Sequence, residues 1–326
     1  MEVAVASIKP LGVPLRDRYG RPVTNLRISL NSSACCNFRC IHCHSEGVHE
    51  NPINQMTPRE IQRIVGILVS YGVESVKLTG GEPMLRRDIV EIVQRIKQMR
   101  IKEISMTTNG THLARLAGEL RDGGLNRVNI SVHSLREDRY RFITSSTKLQ
   151  DALSGVEAAV NAGLAPVKIN MTLLRGVNTD EVDDMIRYVE DLGGGDIAVL
   201  QLIELVNSDK PFYDTYHMDL TSIEEALKQR AIATVKRTMH ARHRYLLPSG
   251  VYVEVVRPMH NCEFCASNNR MRITYDGKFK PCLLREDNHV DFLQALRNGA
   301  RDTELAAIYE RAVLLREPYF KPGEVN

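Results

Sequence analysis

Residues 75–99, SVKLTGGEPMLRRDIVEIVQRIKQM, place a short strand, a Gly-Gly turn and an apolar-periodic helix in one run. The alternation recurs on both sides. Upstream, NLRISL (25–30) reads as a short buried strand, and Thr57-Pro58-Arg59-Glu60 reads as a capping box with proline in the first helical position. That box opens a helix to about Ser70. Downstream, EISMTTNG (103–110) precedes THLARLAGELRDGG (111–124), and RVNISVH (127–133) precedes LQDALSGVEAAVNAG (149–163). VKINMTLL (167–174) then precedes TDEVDDMIRYVEDLGG (179–194), and DIAVLQLIEL (196–205) closes the series. The strands read as near-continuous apolar runs, predicting that crossover helices bury both faces. Six strand–helix units fall short of the eight of a closed barrel. The expected fold is therefore α/β, a partial (β/α)6 TIM-type barrel with function at the carboxyl ends of its strands.

From about Lys210 the alternation stops. A helix near 222–230, a hairpin around Pro248-Ser249-Gly250, a hairpin at Asp276-Gly277 and two final helical stretches predict a smaller α+β module. The division is thus 1–209 and 210–326. Length agrees, because 326 residues fit about two domains. Apolar residues at 43% and charged residues at 25% exclude a disordered tail, a collagen-like fibre or a disulfide mini-scaffold. A net charge of +3 points away from a nucleic-acid-coating surface. MEVAVASIKPLG has no signal-peptide pattern, and no window reaches the ~20 apolar residues of a membrane span. The expectation is a cytoplasmic protein with no nucleic-acid or membrane partner.

Seven cysteines form two groups, Cys35, Cys36, Cys40 and Cys43, then Cys262, Cys265 and Cys282. In a cytosolic chain such clustering points to metal or redox chemistry. Cys36, Cys40 and Cys43 have the spacing CxxxCxxC in the loop after the first strand. Three thiolates without a fourth would leave one iron of a [4Fe–4S] cluster free to bind something else. A structural zinc site, with His42 or His44 as fourth ligand, is the alternative at this point. Lys77 and Lys168 sit inside strands expected to be buried, so they are predicted to face a polar cavity holding an anion, or to pair with a carboxylate. Arg270 and Arg272 share one strand face, where their guanidinium forks suit a triphosphate, with a solvated strand face as the alternative.

The CxxxCxxC spacing, its place after strand one and the βα units resemble the radical S-adenosylmethionine (SAM) enzymes. Thr79-Gly80-Gly81-Glu82-Pro83 resembles that superfamily's GGEP motif at the tip of strand two. Two glycines let backbone approach a ligand, and Glu82 offers a carboxylate to an ammonium. LRDRYGRPVTNLRISL, KLTGGEPMLRRD, MTTNG, NISVHSL and RMRITYDGKFKPCLL together resemble the archaeal-type GTP 3′,8-cyclase family of molybdenum cofactor biosynthesis. The resemblance implies SAM and two [4Fe–4S] clusters as cofactors, and GTP as substrate. It implies cleavage of SAM to a 5′-deoxyadenosyl radical, which abstracts the ribose H3′ so that C3′ attacks guanine C8. The product would be 3′,8-cyclo-7,8-dihydro-GTP.

Carried over by position, the resemblance puts the SAM cluster on Cys36, Cys40 and Cys43. His42, Gly81, Ser131 and Val206 fall beside SAM, Val206 where relatives often carry Met. Arg27, Lys77, Thr107, Lys168 and the Arg270-Met271-Arg272 stretch fall on GTP. The 210–326 module would hold the second cluster, and there the chain departs from the family. Cys265 and Cys282 match, but the family's second cysteine falls on Asn268. Cys262, three residues upstream of Cys265, is the expected replacement, with a zinc site or a damaged site as alternatives. Cys35 is expected to be a bystander. The expected partners are GTP and a reductant protein, with a homodimer allowed. A radical SAM enzyme acting on a peptide, and a non-enzymatic zinc-binding interaction protein, are the competing readings.

Overall fold

A computed structural model describes residues 12–47 and 55–321. The terminal stretches MEVAVASIKPL and PGEVN lie outside the described residues. β1 (Asn25–Ser29) leads to α1 (Pro58–Ser70), β2 (Ser75–Thr79) to α2 (Ile89–Gln98), and β3 (Glu103–Thr108) to α3 (Leu113–Asp122). β4 (Arg127–Ser131) precedes α4 (Glu137–Thr144) and α5 (Leu149–Asn161), and β5 (Val167–Thr172) precedes α6 (Val182–Asp191). β6 (Ala198–Ile203) precedes α7 (Lys210–Tyr216) and α8 (Thr221–Arg230). The remainder runs β7 (Ala233–Lys236), β8 (His243–Leu246), β9 (Tyr252–Val256), α9 (Cys262–Ala266) and β10 (Arg270–Ile273). It ends with β11 (Lys278–Lys280), β12 (Val290–Asp291), α10 (Leu293–Arg297) and α11 (Asp302–Leu314).

Local signals explain the helix starts. Thr57 Oγ1 accepts the Glu60 N–H at 3.3 Å and Glu60 Oε2 accepts the Thr57 N–H at 2.7 Å, closing the capping box at α1. Strands β1 to β6 are parallel and neighbour one another in strict chain order. That is the winding of a (β/α) barrel, since a doubly wound sheet would reverse direction. The C-terminal strands extend this same sheet from both edges. β10 lies parallel to β1 and β9 lies parallel to β6, with β11–β12 and β8–β7 added antiparallel beyond them. Eight consecutive strands are therefore parallel, the number of a closed barrel. Among the described residues β9 and β10 do not pair, so the barrel stays open.

The strands are not the continuous apolar runs expected from the sequence. Val76, Leu78, Ile104, Met106, Val128, Ile130, Ile169 and Met171 form one parity and join helix residues such as Ile61, Ile92 and Val156 in the core. Lys77, Thr79, Thr107, Asn129, Lys168 and Asn170 form the other parity and line an internal cavity. The period of two is that of a sheet with helices outside and a polar lumen inside.

The entry segment before β1 and the residues after α11 are tied together beneath the second cysteine group. Arg21 and Arg316 both bond Asp17 Oδ2, at 2.8 and 3.2 Å. Arg21 Nη1 donates to Cys265 O at 2.8 Å, and Arg316 Nη2 donates to Asn268 O at 2.6 Å. The Arg316 and Asp17 side chains are both 0% exposed. Removing Arg316 leaves Asp17 its bond to Arg21 but strips buried carbonyls of Arg21 and Asn268 of their donor and leaves a cavity where a fully buried side chain stood. Arg316→Ala should lower the stability of the apoprotein by about 2–4 kcal/mol, through unpaired carbonyls and lost packing. A urea midpoint shift worth less than about 1 kcal/mol would contradict this placement.

Candidate active site

A cavity of about 690 Å3 runs along the inner face of the parallel strands, from Asn25, Ser75 and Glu103 at their amino ends to Thr79, Thr108 and Ser131 at their carboxyl ends, and both cysteine groups reach it. Cys36, Cys40 and Cys43 line one part, Cys265 and Cys282 another, and inward-facing strand residues form the wall between. All seven cysteines are free thiols.

The first cysteine loop is held down by the Gly-Gly turn after β2. A Cβ on Gly81 would lie 2.2 Å from Ser32 O, and one on Gly80 would lie 2.4 Å from Asn31 Oδ1. The glycines thus let the turn touch the backbone of the cysteine loop, a closer contact than any side chain permits. Backbone N–H groups are aimed at the sulfurs. Phe38 N donates to Cys36 Sγ and Ser45 N to Cys43 Sγ, each at 3.4 Å. As thiols, Cys36 is pushed up to about 11 and Cys40 to about 12 by burial. Burial therefore resists bare thiolates here, whereas metal coordination removes the thiol protons. Cys40 feels both Cys36 and Cys43 electrostatically, and three such cysteines with amide donors suit an iron–sulfur cluster in kind, although among the described residues no trio of His, Cys, Asp or Glu side chains is drawn together around a single-ion site.

Glu82 is fully enclosed. It accepts bonds from Met84 N (3.0 Å), Thr108 Oγ1 (2.7 Å) and Asn109 N (2.8 Å), yet burial pushes its carboxyl up to about 7. Nearby, the His42 and His133 rings meet edge to face at 4.5 Å. His133 Nδ1 accepts the Thr172 N–H at 3.1 Å, so its neutral ring carries the proton on Nε2. His42 Nδ1 is buried without a partner among the described residues. Ser131 and Val206 also line this end of the cavity wall.

The wall is cationic. Lys77 Nζ donates to Asn129 Oδ1 at 2.9 Å and forms no ion pair among the described residues. Burial, compounded by Arg127 and Arg27, pulls its ammonium well below the ordinary range. Lys168 pairs with Glu254, which Arg242 also approaches at 3.0 Å. Both lysines line the cavity, Lys168 with a carboxylate partner and Lys77 without one among the described residues. Among the described residues Arg270 bonds only neutral groups, Asn25 Oδ1 at 2.9 Å and Met239 Sδ at 3.3 Å. Burial, and then Arg27 and Arg272, lower its pKa strongly, the signature of a cation short of an anion.

Two sequence-level candidates stand off the cavity lining. Met271, between two arginines that face inward, is 0% exposed and packs into the core on the other strand face. Cys262 opens α9 and its Sγ donates to Lys321 O at 3.2 Å, while Asn268 does line the cavity. Cys265 lies one turn beyond Cys262, near Cys282, with the N–H groups of Phe320 and Tyr319 on its sulfur. Residues not singled out from sequence include Glu46, Asn129, Arg127, His133, Arg242 and Glu254. The alternation of Arg127, Asn129 and Ser131 along β4 was the available signal for two of them.

Burial pulls the His133 pKa from its ordinary 6.5 to about 4, and His42, His44 and His240 move the same way. The unfolded chain then takes up protons below pH 6.5 that the folded chain refuses. The stability tied to His133 is complete above about pH 6.5 and drains away as the pH falls towards 4, about 3 kcal/mol in all. Denaturant midpoints of the apoprotein should drop between pH 7 and pH 5, and His133→Gln should flatten that fall. Parallel curves for the two proteins would count against it.

Comparison with known proteins covers 94% of the chain. Residues 30–189 match the Radical SAM superfamily and residues 198–322 match Molybdenum Cofactor Synthesis C. A protein of Thermococcus kodakarensis named probable GTP 3′,8-cyclase is 49% identical over 314 residues, covering 94% of this chain and 100% of that one. Proteins with the same name from Methanocella arvoryzae and Archaeoglobus fulgidus are 46% and 43% identical, each covering 94% of this chain and 95% and 99% of their own. Among solved structures, native anSMEcpe with bound AdoMet matches with a TM-score of 0.54 at 14% identity, over 86% of this chain and 79% of that one. Streptococcus suis SuiB bound to S-adenosylmethionine matches at 0.61 and 14% identity, over 80% of this chain. This chain spans 60% of the SuiB length. At such identity the likeness is one of fold.

Proposed function

This chain belongs to the GTP 3′,8-cyclase family of radical SAM enzymes, and from that premise we propose how its own residues carry the reaction. The activity is cyclisation of GTP to 3′,8-cyclo-7,8-dihydro-GTP, the first step of molybdenum cofactor biosynthesis. SAM and two [4Fe–4S] clusters are the family's cofactors, and when bound they supply the 5′-deoxyadenosyl radical and a second iron site. The observation that carries the reading is the single cavity that both cysteine groups enter, with cations short of an anion on the wall between them.

In this reading Cys36, Cys40 and Cys43 hold the SAM cluster, with Phe38 N and Ser45 N bonded to its sulfur ligands. Glu82 takes the SAM ammonium, which would draw its proton off. His42, steadied by His133, lies beside the adenine, and Gly81, Ser131 and Val206 border the same ligand. Arg27, Lys77, Thr107, Lys168, Arg270 and Arg272 hold GTP, and Met271 contributes only as the spacer that turns both arginines inward. The protein fixes the ribose relative to the radical and keeps water from it. Cys265 and Cys282 hold the second cluster, with Cys262, one helical turn from Cys265, as third ligand. The division into a radical SAM partial barrel over 1–209 and an auxiliary-cluster and GTP-binding module over 210–326 belongs to this reading, with the GTP site drawing residues from both. So do a reductant protein, a cytoplasmic location and a homodimer, all on family grounds.

An anaerobic assay with SAM, reductant and GTP tests the activity: 5′-deoxyadenosine and the cyclised nucleotide should form together. Deoxyadenosine without a nucleotide product would assign the chain another substrate. Lys77→Ala should raise the KM for GTP about 10- to 100-fold, the worth of one charged hydrogen bond, with iron content unchanged. An unchanged KM would remove Lys77 from the GTP site. Cys262→Ala should lower reconstituted iron from about eight to about four atoms per chain, and Asn268→Ala should leave it at about eight. The reverse pattern would give the third position to Asn268.

A further inference from the structure

Arg27 on β1 and Arg272 on β10 are register partners, so two guanidinium groups lie side by side in the lumen. The carboxylate that joins them is Glu46, three residues past Cys43. Arg27 Nη2 donates to Glu46 Oε1, Arg272 Nη1 donates to Oε2 at 2.7 Å, and Thr79 Oγ1 donates to Oε1 at 3.0 Å. Burial would push this carboxyl up, but Arg27 and Arg272 outweigh it and hold it well below the usual carboxylate range. The other inward cations nearby are served differently, Lys77 by Asn129 and Arg270 by Asn25 and Met239. Glu46 thus sits as an anion where the proposed function requires the substrate's phosphates.

Its backbone is not relaxed. Glu46 has φ +52° and ψ +21°, and Ser45 before it has φ +51°. Two successive residues with Cβ atoms in the left-handed region are unfavourable and persist only where other contacts enforce them. Here the enforcing contacts are the two arginines, together with the Glu46 N–H that donates to His44 Nδ1 at 3.1 Å. Losing the arginines would release that strain.

We infer that Glu46 is an internal competitor for the Arg27–Arg272 pair, displaced by a polyphosphate and so setting the enzyme's preference for a nucleoside triphosphate over a monophosphate. The inference rests on the reading of this arginine pair as the phosphate site. A tethered carboxylate acts at an effective concentration of millimolar or more, so an incoming anion gains only the difference between its own binding and that of Glu46. A triphosphate can reach Arg270 and Lys77 as well and makes up the difference. A monophosphate cannot. The device makes charge number, and not charge alone, the criterion for entry.

The test is anaerobic equilibrium binding of GTP, GMP and inorganic tripolyphosphate to the reconstituted holoenzyme, wild type against Glu46→Gln. The variant should bind all three more tightly, tripolyphosphate by about tenfold or more. GMP should gain more than GTP, so the GTP-to-GMP preference falls. Glu46→Asp, too short to span both arginines, should fall between. Unchanged or weaker binding in Glu46→Gln, with tripolyphosphate still bound by the wild type, overturns the inference alone. No binding of GTP or tripolyphosphate by the wild type overturns the phosphate-site reading and the inference with it. Should the variants lose iron or fail to fold, hydrogen exchange of wild-type residues 43–47 decides. Tripolyphosphate should speed it, and slowed or unchanged exchange counts against displacement.

Discussion

Guanidinium and ammonium groups that leave water must regain an acceptor or an anion, and the inner face of this sheet is arranged around that requirement. Arg27, Lys77, Arg127, Lys168, Arg270 and Arg272 all point into one cavity. Some are answered from within the protein. Glu254 serves Lys168 and Arg242, Glu103 serves Arg127, and Glu46 serves Arg27 and Arg272. Lys77 and Arg270 have only neutral partners among the described residues. The fold therefore holds unbalanced positive charge in a low-dielectric space, where its attraction for a polyanion is far stronger than at a surface. The net charge of +3 conceals this, because the cations concerned are gathered inside.

Strand pleat and strand order convert that charge into a site. In each parallel strand one parity is apolar beneath helices and the other is polar towards the lumen. The register then sets Arg272 beside Arg27, Arg27 beside Lys77, and Asn129 beside Lys168. A one-residue slip of any strand would send its cation into the apolar core. The packing of the outer face thus fixes the inner one, and the loops at the carboxyl ends bring the thiols to a wall already charged.

Much of this was legible from the chain alone. The barrel units, the α1 capping box, the Gly-Gly turn and the cysteine spacing are local signals, and local physics carries them. The polar lumen was also written in VKINMT and RVNIS, where every second residue is polar. Reading those stretches as apolar runs missed it, since a buried polar face looks like noise until the cavity is known. α4, short and rich in charge, gave no apolar period to find. Glu46 could not be found at all, because no spacing rule links a loop carboxylate to arginines on strands that begin 21 residues before it and end 227 after it. Nor could the flanking of the barrel by C-terminal strands, a tertiary choice about which exposed edge to cover.

That flanking also bears on how the chain is made. β1 pairs on one side with β2, 50 residues along, but on the other with β10, where Asn25 meets Arg270. During synthesis the outer edge of the first strand therefore stays open until almost all of the protein has left the ribosome. An unpaired parallel edge is a template for the wrong partner, and closing it requires contacts of very long range, 245 residues from Asn25 to Arg270. The same step that seals the edge delivers Arg270 and Arg272 beside Arg27. Sealing the edge and completing the charged wall are a single event, so a nascent or truncated chain that stops short of β10 lacks that wall even where it holds the earlier helices and the first cysteine loop.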